Sequence, residues 1–232
     1  MSVIITGAGR GIGKAIALKF AAQGEELILC AKSAETIENA KQEILIRFPN
    51  TVIHTFHTDL SEKAAVKEFG AFCLTKGTPG VLINNAGSYI PGKCINEDEG
   101  VMEQMMNINF YSAYYLTRFL LPSMMAVKQG HIFNICSIAS LQAYEGGGGY
   151  SVSKFALHGF SNNLRHELKP HGIKVTSVFP GAVFTDSWAG YDNSSNRIME
   201  AGDIAEMVFA ATKLSTQAVV EDIVIRPQLG DL

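Results

Sequence analysis

No charge of either sign dominates this 232-residue sequence: 19 lysines and arginines face 22 aspartates and glutamates, for a net charge of -3. With no basic excess there is no global field to draw nucleic acid or anionic lipid, so neither is an expected partner. Cysteine is scarce as well. Cys30, Cys73, Cys94 and Cys136 are widely spaced and form no Cys-x-x-Cys pair, which argues against a disulfide framework. Free thiols in a reducing cytosol are the expectation. No apolar run is long enough to span a bilayer. The strand-like Val3-Ile4-Ile5 stands where a leader would need its basic and apolar regions, so a cytoplasmic protein is expected. Internal repeats, low-complexity linkers and charge runs are missing too. One domain over 1–232 is therefore expected, and 47% hydrophobic content is enough for a sizeable core. A small molecule is the remaining class of partner.

What the chain does have is alternation. Short apolar runs rich in β-branched residues, Val3–Ile5, Leu27–Cys30, Val52–Phe56, Val81–Ile83, His131–Ile135, Lys174–Val178 and Ile223–Ile225, read as strands. Amphipathic stretches near 11–23, 34–47, 61–76, 101–127, 150–169 and 202–213 read as helices. This order predicts an α/β fold: a single Rossmann-type doubly wound parallel sheet of about seven strands with helices on both faces. Such sheets bind ligands beyond the carboxyl ends of their strands, at the point where strand order reverses. The longest irregular stretch, roughly 180–201, falls at that edge, and its part near 182–201 is expected to form a lid over the substrate.

The first strand runs directly into Thr6-Gly7-Ala8-Gly9-Arg10-Gly11-Ile12-Gly13 and then a helix. Backbone amides and a helix dipole at such a junction suit a pyrophosphate. A P-loop would need Gly at position 8 and Ser or Thr after Gly13-Lys14, but Ala8 and Ala15 stand there. The Gly-x-Gly-x-x-Gly spacing also fails from Gly7, because Ile12 occupies the third glycine position. A dinucleotide site therefore rests on Gly7, Gly11 and Gly13 in their strand-to-helix context. At the end of the second strand, Cys30-Ala31-Lys32-Ser33 lacks the acid that would bind the free ribose hydroxyls of NAD. Lys32, Ser33 and Arg10 are available to a 2′-phosphate, so NADP (NADPH) is expected, with NAD less favoured.

Two tyrosines have lysine four residues on. Pro91-Gly92 interrupts Tyr89…Lys93, whereas Tyr150…Lys154 lies in a helix-compatible run that places both on one face. A phenol of pKa about 10 is poorly matched to proton transfer near neutrality, and a lysine one turn away is a source of phenolate stabilisation.

With these motifs on the page, the chain resembles the short-chain dehydrogenase/reductase family over almost its whole length. Thr6 with the glycine segment matches the part that wraps the coenzyme diphosphate. Asn84-Asn85-Ala86-Gly87 matches a block beside the adenosine, with Asn85, Ala86 and Gly87 as contacts, and Asp59-Leu60 matches an adenine-side pair. Pro180-Gly181, with Val183 and Thr185, matches the segment that meets the nicotinamide. The resemblance implies that Tyr150 delivers a proton and Ser137 orients the substrate oxygen. It further implies that Lys154 binds the nicotinamide ribose and lowers the phenol pKa, and that Asn109 holds a water in the proton relay. Glu145 followed by Gly146-Gly147-Gly148-Gly149 departs from a typical site wall and is expected to be loosely ordered.

These matches imply an NADP-dependent oxidoreductase that reduces a small carbonyl compound to an alcohol. A catalytically silent NADP-binding sensor on the same fold is the rival, since fold alone does not establish activity. The segment Pro180–Thr185, Trp188 and the tail from Val219 to Asp231 resemble bacterial sepiapterin-reductase-like members. That implies a pteridine side-chain carbonyl, with Trp188 offering a stacking face; 3-oxoacyl thioesters, ketones and diketones remain alternatives. His54-x-x-His57 places its rings on opposite sides of a strand, so no metal site is expected. The apolar helices 101–127 and 150–169 pair across a two-fold axis in relatives, which implies a homodimer or homotetramer.

Overall fold

The computed structural model describes residues 2–185, 188, 190–194 and 196–231. Part of the expected lid, positions 186, 187, 189 and 195, lies outside the described residues. Seven strands form one sheet: β1 (Ser2–Thr6), β2 (Glu26–Ala31), β3 (Ile53–His57), β4 (Val81–Asn84), β5 (Gly130–Ile135), β6 (Ile173–Pro180) and β9 (Asp222–Ile225). Their order is β3-β2-β1-β4-β5-β6-β9, and every pair is parallel. The order reverses between β1 and β4, which opens a crevice at their carboxyl ends.

Alternation along the strands builds two cores. Val3 and Ile5 point to one side, where α1 (Gly11–Ala21), α2 (Ala34–Arg47) and α7 (Ala201–Thr212) supply Ile16, Phe20, Ile37 and Val208. Ile4 points to the other, among Phe69 of α3 (Lys63–Leu74), Leu116 and Leu120 of α5 (Ser112–Val127) and Leu164 of α6 (Gly148–Leu168). Both faces being buried explains why the strands read as continuous apolar runs. Helix starts follow local chemistry: Ser33 accepts from the Thr36 amide at 3.2 Å to cap α2.

Three departures from the expectation bear on the site. The stretch 101–127 is α4 (Val101–Met106), a π-type turn over Asn107–Tyr111 and then α5, so its helical period is broken at Asn109. The stretch 180–201 holds a small parallel pair, β7 (Val183–Phe184) with β8 (Met199–Glu200), too short to read from sequence. Helix α6 begins two residues before Tyr150, so Gly148 and Gly149 are its first turn.

Candidate active site

A cleft of about 620 Å³ opens at the switch point, within the size range of small-molecule and cofactor sites. At one end lies the N-terminus of α1. Arg10 stands at its N-cap with no side-chain capping hydrogen bond, and the first turn contains no acid. Amides and dipole at that end are therefore suited to an anion. Gly7, Gly9, Arg10, Gly11 and Ile12 all line the cleft. Thr6 and Gly13, expected there too, serve the protein instead. The Thr6 hydroxyl accepts from the amides of Asn85 and Ala86, each at 2.9 Å, and so ties β1 to the segment after β4. A Cβ on Gly13 would lie 2.3 Å from the Gly7 carbonyl oxygen, which explains the glycine by close helix packing.

The wall beyond β2 is formed by Ala31, Lys32, Ser33, Asp59 and Leu60, with Thr36 and Thr58 added by the structure. Lys32 pairs with Asp59 at 2.7 Å. Partial burial pushes the Asp59 carboxyl up, but hydrogen bonds from Lys32 and Ser61 outweigh it and hold the group below its ordinary value. Thr36 was hidden because it lies inside the first turn of α2; only the β2-to-α2 turn brings it to the cleft.

At the other end, Asn85, Ala86 and Gly87 line the wall opposite Tyr150 and Lys154. A Cβ on Gly87 would lie 2.8 Å from Asn109 Oδ1 and 3.6 Å from Lys154 Nζ, so a bare backbone at 87 keeps the approach to the lysine open. Lys154 is buried; its Nζ donates to the Ile135 carbonyl at 2.8 Å and lies 5.8 Å from the centre of the Tyr150 ring. Burial lowers its pKa to about 8. Tyr150 stands near Ser137, whose Oγ accepts from the Ala139 amide at 3.1 Å. Burial pushes the Tyr150 phenol up, nearby Ser137 offsets it in part, and Cys136 and Tyr89 push it up further.

Asn109 sits in the π-type turn and does not line the cleft. Its Oδ1 accepts from the Ser88 amide at 2.8 Å, while its Nδ2 donates to the Ser88 carbonyl and to Ser153 Oγ. The side chain fastens the segment after β4 to α6. Pro180, Gly181 and Val183 also stay out of the cleft. Pro180 pairs with Ile225 in the sheet, the Gly181 amide donates to the Ile225 carbonyl, and Val183 is buried in β7. Thr185 does reach the cleft. Trp188 packs edge-on against Tyr191, with centroids 5.3 Å apart, and does not line it.

The glycine run expected to be loose is fastened. The Gly92 amide donates to the Gly146 carbonyl, the Gly149 amide donates to Glu97 Oε2 at 2.9 Å, and Lys93 pairs with Glu145. Gly148 has φ +38°, and a Cβ there would lie 2.8 Å from both Glu97 Oε2 and the Gly92 carbonyl oxygen. Those glycines let residues 92–97 lie against the start of α6. Sequence reading also missed Tyr89, which lines the cleft beside Tyr150.

Among the described residues no helix is long and apolar enough to cross a membrane, and no group of three His, Cys, Asp or Glu could hold a metal ion. His54 lies 3.0 Å from Glu26.

A profile of the short chain dehydrogenase family matches residues 1–196. The chain is 32% identical to a sepiapterin reductase of Chlorobaculum tepidum, over 99% of this chain and 97% of that protein. It is 30% identical to an uncharacterised oxidoreductase of Staphylococcus aureus, over 97% and 96%. Among solved structures it resembles a metagenomic short-chain oxidoreductase in complex with NADP (TM-score 0.86, 29% identity, 98% and 97% covered). It also resembles an alcohol dehydrogenase of the archaeon Thermococcus sibiricus complexed with 5-hydroxy-NADP (TM-score 0.91, 26% identity, 100% and 98% covered).

Proposed function

The chain belongs to the short-chain dehydrogenase family, and on that premise we propose that it is an NADPH-dependent reductase of a small-molecule carbonyl compound. The observation that carries this reading is one cleft with the N-terminus of α1 at one side and Tyr150, near Ser137 and beside buried Lys154, at the other. A sensor would need the first half alone. NADP(H) is supported by the relatives whose structures hold NADP and a hydroxylated NADP, and by Ala31-Lys32-Ser33, which places no acid at the end of β2.

Bound coenzyme supplies the hydride. On the protein side, a phenol held above its ordinary pKa stays protonated near neutrality, which suits a donor to the carbonyl oxygen. Ser137 hydrogen-bonds the same oxygen. The Lys154 ammonium, charged below about pH 8, binds the ribose and opposes the phenolate's desolvation as the proton leaves. Asn109 keeps the segment carrying Gly87 and Ser88 in place on α6, and so fixes one wall of the cleft.

Within this class we favour a pteridine side-chain carbonyl, on the similarity to the Chlorobaculum enzyme, with diketones, plain ketones and 3-oxoacyl thioesters as the other substrates to assay. Residues near 182–201 are taken as the substrate lid, although Trp188 in this structure packs on Tyr191. A homodimer or homotetramer is supported by the apolar side chains left exposed on the π-type turn and α6, Tyr111, Val152 and Phe155. Light scattering at micromolar concentration should give two or four copies; monomer alone overturns it. Three buried thiols without disulfide partners fit a cytoplasmic site of action.

The test is a panel of these carbonyl compounds, followed by NADPH absorbance, with Tyr150→Phe beside the wild type. We expect turnover with a higher kcat/KM for NADPH than for NADH. The variant should lose at least about 100-fold in kcat, the usual contribution of a general acid, while coenzyme binding persists. Wild-type turnover in Tyr150→Phe would refute the reading.

A further inference from the structure

Tyr89, in the segment after β4, lines the cleft beside Gly87 and Ser88 yet has no part in the roles above. Its ring meets Tyr150 edge-on, with centroids 5.0 Å apart and planes at 79°. From the segment after β5, Tyr144 comes close enough for the two phenols to act on one another. Both phenols remain partly open to solvent, Tyr89 at 45% and Tyr144 at 43% exposure, so neither is sealed in the core. Burial first, and then Tyr89, push the Tyr144 phenol up. The Tyr89 hydroxyl, on the cleft wall, is a donor for an acceptor bound there. Packing on Tyr150 does not require that hydroxyl, since phenylalanine would present the same ring edge.

The two segments are also joined by the Gly92–Gly146 hydrogen bond, the Lys93–Glu145 ion pair and the Glu97–Gly149 hydrogen bond. Tyr89 is thus carried on a wall already fixed, so a substrate bonded to it has little ordering cost to meet. Ring centres 5.0 Å apart bring both phenols within the span of one small molecule.

We propose that Tyr89 is a specificity-determining residue whose hydroxyl donates to a second acceptor on the substrate, beside the carbonyl that Tyr150 protonates. Tyr144 is a positioning residue that acts through Tyr89. The site therefore selects carbonyl compounds with a second oxygen or ring nitrogen close by, such as 1,2-diketones or acyl groups on nitrogen heteroaromatics, over plain monoketones. This deepens the carbonyl-reductase reading and rests on it.

The experiment measures NADPH oxidation by the full chain with 2,3-hexanedione and with 2-hexanone, in the wild type, Tyr89→Phe, Tyr144→Phe and the double variant. Loss of one neutral hydrogen bond predicts that Tyr89→Phe lowers the diketone-to-monoketone ratio of kcat/KM about tenfold, chiefly through KM. Tyr144→Phe should lower the same ratio by less, and the double variant should match Tyr89→Phe because the second change has nothing left to act through. An unchanged ratio, or additive losses in the double variant, overturns the proposal while leaving the reductase reading intact. A wild type that reduces neither these ketones nor any carbonyl of the panel overturns the reductase reading and this proposal with it.

Discussion

Replacing Lys154 by methionine should make the folded chain more stable while removing its chemistry. Lys154 is 4% exposed, and burial brings its pKa from 10.5 to about 8. That displacement corresponds to about 3 kcal/mol of unfavourable free energy in the folded state whenever the amine is charged. Methionine fills similar space without a charge but gives up the hydrogen bond to the Ile135 carbonyl, which costs about 1 kcal/mol. A net gain of about 2 kcal/mol is expected at pH 7. The sign of the pH effect follows from which state holds the proton longer. Between pH 8 and 10.5 the folded amine has released its proton while the unfolded amine still binds one, so wild-type stability rises with pH across that window. The variant has no such term. Urea unfolding of both proteins at pH 7 and pH 10 should show an advantage of about 2 kcal/mol for Lys154→Met that vanishes at the higher pH. A variant less stable than the wild type at pH 7, or a gap that does not change with pH, would refute the argument that the ammonium is a burden tolerated for function.

Two further outcomes follow from groups away from the reacting carbonyl. His131 is 5% exposed and stacks on Phe133; since Thr176 donates to the Val220 carbonyl, its oxygen accepts from His131 Nε2 at 2.7 Å. Burial, and then Lys174, lower its pKa to about 3, so between pH 6.5 and 3 only the unfolded histidine takes up a proton and stability falls as pH falls. From pH 7 to pH 5 the wild type should lose about 2 kcal/mol more than His131→Gln, read by urea unfolding; equal losses would refute it. Gly148→Ala should destabilise by about 2 kcal/mol and raise substrate KM, because its positive φ is combined with contacts at 2.8 Å. Gly146→Ala, with φ +77° but open space around it, should cost about half as much, and equal effects would remove the clash from the explanation.

The sheet was legible because its information is local: a run such as Val3-Ile4-Ile5 serves two apolar layers at once. The glycine segment was legible as a coenzyme cradle but not residue by residue, since the task of Gly13 is to let α1 approach the Gly7 carbonyl. Asn109 carried a recognisable motif, while its partners at Ser88 and Ser153 depend on a π-type turn that periodicity does not reveal. Tyr89 was set aside because Pro91-Gly92 rules out a helical pair with Lys93; its real partners, Tyr144 and Tyr150, are more than fifty positions away. The glycines at 146–149 suggested slackness for a similar reason, because the carboxylate and carbonyl that demand small residues belong to Glu97 and Gly92.

The carboxylate of Glu97 completes the first turn of α6 by accepting from the amide of Gly149, 52 residues further along the chain and directly before Tyr150. Helix α6 is thus not a self-contained module with its own cap; its opening turn is finished by the segment after β4. Transplanting residues 89–97 from another member of the family would therefore alter the footing of the acid as well as the shape of the wall. Variation in these two stretches should be inherited as a pair.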